Sequence, residues 1–235
     1  MTQQWRIVRD ALAGELAGRV YRSGERLPSE HELARDFQVS RNTVRRAFLS
    51  LSQEGLIRIV NGRGSFVAHE GIVYEIDATS RFYETLLAAG AKPRRAFLDG
   101  RSLPADDRLA ELLEVSVGTE LVEIESLVSI RDLPVVLSRR VFPAELIPNL
   151  LARYREQLSI TRVLAEAGLG ELLRQSTTVG ARLPTPKEAE TLAMPTNSPV
   201  LVADGVGRLS SGLMAEVNVS LVPAHLVRFK FRGSR

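Results

Sequence analysis

Cysteine is absent from the 235 residues, histidine occurs three times, and lysine is missing from the first 70 positions, where every basic side chain is an arginine. Without cysteine there is no disulfide framework and no thiolate metal site, and the chain suits a reducing compartment. His31, His69 and His225 fall in three separate contexts, so they support neither a His-centred triad nor a His-rich metal site. No apolar run approaches the length needed to cross a bilayer, and the first residues lack the apolar core of a secretory signal. These absences predict a soluble cytoplasmic protein with no membrane partner, no cofactor and no resident metal.

With 44% apolar residues the chain can bury a real core, and its length suits one small and one medium domain. The net charge of +3 is unevenly placed: residues 1–70 hold 11 arginines against 8 acidic side chains, whereas residues 71–235 hold 20 basic and 20 acidic groups. The whole excess is therefore N-terminal arginine, the side chain whose planar fork matches phosphates and guanine edges.

Ile7, Val8, Ala11, Leu12, Leu16 and Val20 recur at helical spacing and predict a first amphipathic helix over about 3–21. Ser29 with Glu32 three residues on forms a capping box for a second helix, with Leu33, Ala34 and Phe37 inward. Ser40 opens a third helix in the same way. Its buried face is Val44, Ala47, Phe48 and Leu51, while Arg41, Asn42, Thr43 and Arg45 cluster at its exposed N-terminal end. Ile57–Val60 and Ser65–Val67 then read as short strands joined through Asn61-Gly62-Arg63-Gly64, residues that tolerate the positive φ of a hairpin. Two capped helices, a basic third-helix start and a glycine-tipped hairpin in this order form a winged helix-turn-helix.

Over about residues 5–68 this segment resembles the DNA-binding domain of the GntR superfamily of bacterial transcription regulators. The resemblance implies double-stranded operator DNA as partner and DNA-contact positions at His31, Ser40, Arg41, Asn42, Thr43, Arg45, Asn61, Gly62 and Arg63. His31 stands where some relatives carry arginine. Arg41 and Arg45 can reach guanine edges or phosphates, and hydroxyls and helix N-terminal amides can anchor phosphates. Arg46 and Arg58 receive no functional assignment.

The second half contains a gapless internal repeat. Leu103-Pro104, Leu112, Leu121-Val122, Leu133 and Pro143-Ala144-x-Leu146 return 80 residues later as Leu183-Pro184, Leu192, Leu201-Val202, Leu213 and Pro223-Ala224-x-Leu226. Each copy reads as strand, short helix, strand, hairpin turn and strand, and two such copies are expected to share one mostly antiparallel sheet backed by helices. Residues 143–168 form a helical connection, with Ser159 capping Ile160–Ala167. From Leu121 to Ile130 the even positions form the buried face, with Ser126 its only polar member; Ser138 and Arg140, and in the second copy Glu216, Asn218 and Ser220, fall on equivalent faces. A polar island on an apolar sheet face predicts a ligand cavity.

This half is similar to the effector-binding UTRA domain of the HutC subfamily, which has a chorismate-lyase fold. The likeness covers about residues 75–232 and rests on Ser80-Arg81-Phe82, Asp132-Leu133-Pro134, Ser159-Ile160, Leu183-Pro184 and the Glu216 strand. It implies a small-molecule effector held by Ser80, Arg81, Phe82, Tyr83, Ser126, Ser138, Arg140, Ser159, Thr161, Glu216 and Asn218. Ser80 would cap a helix over Arg81–Ala89. Sugar-phosphate-sensing relatives carry two arginines where this chain has Ser126 and Val128, and a glutamate at Ser138, which argues against an amino-sugar phosphate. Arg81, the Ser138-Arg139-Arg140 run and the Asn197-Ser198-Pro199 turn look instead like the branch that regulates phosphonate uptake and breakdown.

The expected fold class is thus α+β: a winged helix-turn-helix over 1–70, a linker over 71–78 with Gly71 as hinge, and a UTRA domain over 79–235 for effector binding and dimerisation. The expected function is a homodimeric regulator, a repressor released from its operator by a phosphonate or phosphate-like anion. Two alternatives are an amino acid-like or other organic acid effector, and an enzyme of chorismate-lyase type fused to a DNA-binding domain. Catalytic groups are not apparent, since Glu216 beside Asn218 reads more simply as a hydrogen-bond acceptor for a ligand amine.

Overall fold

The computed structural model describes residues 4–231 apart from Arg19, Ser23, Asn61, residues 69–71, Ala78, Ser80, Ala89 and Arg131. The chain divides into two compact units, Met1–Ile72 and Val73–Arg235. Asn61, Ser80, Gly71 and part of the expected linker lie outside the described residues.

In the first unit α1 (Gln4–Ala17) is followed by α2 (Glu30–Asp36) and α3 (Arg41–Gln53), then by the hairpin β1 (Ile57–Val60) and β2 (Gly64–Val67). Ser29 and Glu32 make the expected capping box on α2, and Ser40 Oγ accepts from the Thr43 amide at the start of α3. Val8, Leu12, Leu27, Leu33, Val44, Phe48, Leu51 and Ile57 close a single core. The first helix is shorter than its apolar spacing suggests. The Val20 amide bonds back to the Glu15 carbonyl at 3.0 Å and ends it, leaving Val20 65% exposed; at the other end of the helix Ile7 is also exposed, on the side away from the core. In the wing Val60 pairs with Gly64, and the turn needs the positive φ of Gly62 (74°) and Gly64 (108°). Leu27 and Val67 amides bond to Ser65 and Glu25 carbonyls, and Arg26 pairs with Phe66 as an isolated antiparallel bridge, which ties the chain before α2 to the wing.

The second unit opens with β3 (Ile72–Ile76), a strand in the stretch expected to be linker; its alternating Ile72, Tyr74 and Ile76 give it a face to bury. It pairs with the last strand, β10 (Val227–Phe231). After α4 (Phe82–Ala88) come β4 (Pro93–Pro104), α5 (Asp107–Leu113), β5 (Glu120–Ile130) and β6 (Leu133–Pro143). A 3-10 turn and helices α6 (Leu150–Gln157) and α7 (Ile160–Glu166) lead to β7 (Leu172–Arg182), α8 (Pro186–Thr191), β8 (Val200–Leu209) and β9 (Met214–Pro223). Ser159 caps α7 through the Arg162 amide.

The six long strands form one sheet in the order β4-β5-β6-β9-β8-β7, antiparallel throughout. The 80-residue repeat is legible in that order, because each copy supplies three neighbouring strands and one helix and the copies join at β6 and β9. Helices cover both faces. On one, Val122, Ile124 and Phe142 pack under Leu150, Tyr154, Ile160 and Val163 of α6 and α7. On the other, Leu121, Val141 and Val217 meet α5, and Leu137 and Leu221 meet α8. Val122, Ile124, Ser126 and Val128 of β5 are buried as expected and Ile130 is half-buried at the strand end, but Leu121 is buried too, since α5 covers the odd face at the other end.

Candidate functional site: a polar cavity on the sheet and an arginine face on the third helix

The sheet register builds the floor of a cavity of about 100 Å³. Ser126 lies opposite Ser138, Ser138 opposite Ser220, and Ser220 opposite Ala203, a row of small side chains running across four strands. The next row is Arg140, Asn218 and Gly205, and Glu216 faces Gly207. Small residues leave the depression, while helices α6 and α7 fill the rest of that face with aliphatic side chains. Ser138 and Ser220 hydroxyls lie 3.2 Å apart, and Ser220 donates to Asn218 Oδ1 at 3.2 Å.

Of the expected effector residues, Arg81, Phe82, Tyr83, Ser126, Ser138, Arg140, Ser159, Thr161, Glu216 and Asn218 all line this cavity. Arg139, between Ser138 and Arg140, points to the opposite face, 3.8 Å from both Glu123 and Glu125, as strand alternation requires. The Asn197-Ser198-Pro199 turn is not part of the lining.

Among the lining residues not read from the sequence are Tyr74, Arg95, Tyr154 and Arg174. Arg95 stacks 4.4 Å over the Tyr83 ring and donates to the Leu158 carbonyl at 2.5 Å. Arg174 donates to Tyr74 Oη at 3.0 Å and Thr177 Oγ1 at 3.1 Å. Tyr74 in turn packs edge-on to Phe82, centroids 5.0 Å apart, and against Phe229 at 5.9 Å. Arg81 donates to the Leu172 and Thr79 carbonyls.

The electrostatics are one-sided. Burial lowers the Arg81 pKa below its ordinary value; nearby Glu216 opposes that shift, and Arg140 and Arg174 add to it. Burial also lowers Arg95, with Tyr154 opposing and Arg140 adding. Guanidinium remains protonated in proteins, so these shifts record desolvation and mutual repulsion. A negative ligand relieves both.

On the first unit, His31, Ser40, Arg41, Asn42, Arg45, Gly62 and Arg63 are exposed and Thr43 is half-buried. Ser40 Oγ and Thr43 Oγ1 are 2.9 Å apart. Glu30, at the first position of α2, holds Arg45 through both carboxylate oxygens. The two arginines left unassigned have intramolecular partners: Arg46 lies 4.7 Å over the Trp5 ring and Arg58 5.7 Å over Phe66. Among the described residues no helix is long and apolar enough to cross a membrane, and no three His, Asp or Glu side chains cluster as a metal site.

Comparison with known proteins bears on both units. The family model for the UTRA domain matches residues 88–228, and that for bacterial regulatory proteins of the gntR family matches residues 6–67. The probable transcriptional regulator PhnF of Escherichia coli (strain K12) is 30% identical over 210 residues, 89% of this chain and 87% of that protein. The HTH-type transcriptional repressor PhnF of Mycolicibacterium smegmatis is 28% identical over 185 residues, 79% of this chain and 75% of its own length. The crystal structure of PhnF from Mycobacterium smegmatis superposes with a TM-score of 0.67 at 26% identity, covering 97% of this chain and 99% of that one.

Proposed function

Because this chain belongs to the UTRA-domain, GntR-type family of bacterial transcription regulators, we propose that it is a repressor released from its operator by a small anionic effector held in the sheet cavity. It is a regulator and not an enzyme. The observation that carries the effector reading is the ring of Arg81, Arg95, Arg140 and Arg174 around one small cavity, faced by Glu216 and the exposed Glu84. A tetrahedral oxyanion presents several acceptors to such a ring, and charge-assisted hydrogen bonds are the stronger kind. The resemblance of Arg81 and the Ser138-Arg139-Arg140 run to the branch that regulates phosphonate uptake and breakdown favours a phosphonate or phosphate-like metabolite among anions of this size.

In the proposed mechanism a cytoplasmic homodimer presents two third helices to successive major grooves of a palindromic operator. His31, Ser40, Arg41, Asn42, Thr43, Arg45, Asn61, Gly62 and Arg63 make the DNA contacts. The effector acts by its differential affinity for the DNA-bound and released states. The test is fluorescence anisotropy of the full-length protein on its operator, titrated with inorganic phosphate, ethylphosphonate, sugar phosphates and amino acids. Selective release by phosphate or phosphonate is expected. Release by a sugar phosphate or amino acid alone replaces the effector class, and tighter binding on ligand addition overturns repression by release.

A further inference from the structure

Glu216 is the discordant group in the arginine-lined cavity. Its side chain is 8% exposed, with Oε1 2.9 Å from Arg140 Nε. The N–H is not aimed along that line, so this buried oxygen has no aligned hydrogen-bond donor despite the close ion pair. An ionised carboxylate offers about four acceptor sites, and leaving them unfilled in a buried setting is costly. A second polar atom at the same cavity, the Tyr154 hydroxyl, is also buried without a partner. Gly207, opposite Glu216, preserves room there: a Cβ at that position would stand 3.4 Å from Glu216 Oε2 and 3.0 Å from Leu172 Cδ1.

An anion attracted by Arg81 also feels Glu216, the largest charge acting on Arg81 ahead of Arg140 and Arg174. Inside a partly dry cavity that repulsion is several times stronger than in water. A ligand that is negative throughout satisfies the arginines and opposes the carboxylate, whereas one with a donor at its far end satisfies both. With so small a volume, the two ends can be only a few bonds apart.

We propose that the effector is a short zwitterion of the aminoalkylphosphonate class, its oxyanion held by Arg81 and Arg174 and its protonated amine docked on Glu216. This rests on the anionic-effector reading above and adds a second, cationic pole to it.

Isothermal titration calorimetry on the full-length protein tests it with three probes: 2-aminoethylphosphonate, ethylphosphonate and inorganic phosphate, each against the wild type and Glu216→Gln. The expected result is 2-aminoethylphosphonate binding the wild type about tenfold or more tightly than ethylphosphonate, the scale of one charge-assisted hydrogen bond, with the advantage lost in Glu216→Gln. Equal affinity of the two phosphonates for the wild type overturns the cationic pole and leaves the anionic effector standing. Failure of all three probes to bind overturns both. An amine advantage that survives unchanged in a folded Glu216→Gln protein overturns the assignment to Glu216. Should that variant not fold, the wild-type comparison decides alone.

Discussion

Arg45 Nε and Nη2 donate to the two carboxylate oxygens of Glu30 at 3.0 and 2.8 Å, joining the exposed end of the third helix to the first turn of the second. Arg41 Nη2 stands 3.9 Å from the same carboxylate. The hydrogen bonds to Glu30 and its charge hold Arg45 above the ordinary guanidinium pKa. Glu30 takes one edge of the Arg45 fork and leaves the Nη1 side for another partner. A guanidinium fixed on one edge loses less rotamer freedom when it meets guanine. Glu30→Ala should therefore lower affinity for the operator while leaving or raising affinity for scrambled DNA, because removing a negative charge reduces repulsion of DNA phosphates. Equal changes on both DNAs would show that Glu30 orients no base-reading group.

The same geometry separates the two arginines. Arg45→Ala should weaken operator binding roughly tenfold or more and relax discrimination at one base pair. Arg41→Ala should weaken operator and scrambled DNA alike and reduce the slope of log affinity against log salt by about one. Anisotropy at several salt concentrations reads both, with circular dichroism confirming the fold. Unchanged affinity in both variants would sink the recognition-helix assignment.

Arg81→Ala should keep operator affinity and lose the response to the effector. Arg81 donates to the Leu172 and Thr79 carbonyls, so some stability is lost as well, and a melting curve of the free protein separates that loss from the loss of binding. Wild-type stabilisation at 100 times the dissociation constant is about 2.7 kcal/mol. An Arg81→Ala protein that melts cooperatively and still shows the full ligand-induced shift removes Arg81 from the site.

Much of this cavity is legible in the sequence because strand alternation is rigid. Once Ser126, Ser138 and Glu216 are placed on even positions, the pleat brings them to one face, and the 80-residue repeat aligns the two copies. The same rule separates Arg139 from Arg140. Arg174 was not legible. Its strand is irregular between Arg174 and Ser176, so alternation fails where it would have pointed inward. Tyr74 fell in the expected linker and Tyr154 in the expected helical connection; their role in the lining depends on β3 pairing with the last strand and on α6 packing over the sheet, both long-range events. The first helix was read too long because its apolar spacing continues past the backbone bond that ends it.

One pH dependence follows from α8. Thr185 and Glu188 form its capping box, and Arg182 Nη1 and Nη2 donate to Glu188 Oε2 and Oε1 at 2.7 and 2.8 Å. Hydrogen bonding from Arg182 holds the Glu188 carboxyl at about 2. A carboxyl depressed on folding contributes stability that is present above its unfolded value of about 4.3 and lost as pH falls towards the folded value. Glu188→Gln should therefore melt below the wild type near pH 6, and the gap should narrow between about pH 4.5 and 2. Calorimetry across that range checks the sign. A gap independent of pH would mean that Glu188 acts through packing alone.

Tyr74 places β3, the strand that follows the DNA-binding unit in sequence, in the cavity lining. Its hydroxyl accepts from Arg174 at 3.0 Å, its ring meets Phe82 and Phe229, and it lies on β3, whose first residue, Ile72, follows the end of the wing strand at Val67 by only four intervening positions. An anion drawn to Arg174 would compete for the guanidinium that donates to Tyr74, which would give effector binding a handle on β3. Tyr74→Phe keeps the ring contacts and removes only the hydroxyl. Effector affinity, read separately by calorimetry, should change by no more than the roughly tenfold that one charge-assisted hydrogen bond contributes, while the effector concentration needed to release half of the operator should rise well beyond that change. If release and effector affinity shift by the same factor, Tyr74 contributes to the pocket alone, and the coupling between effector and DNA runs through other contacts of β3 or through the dimer.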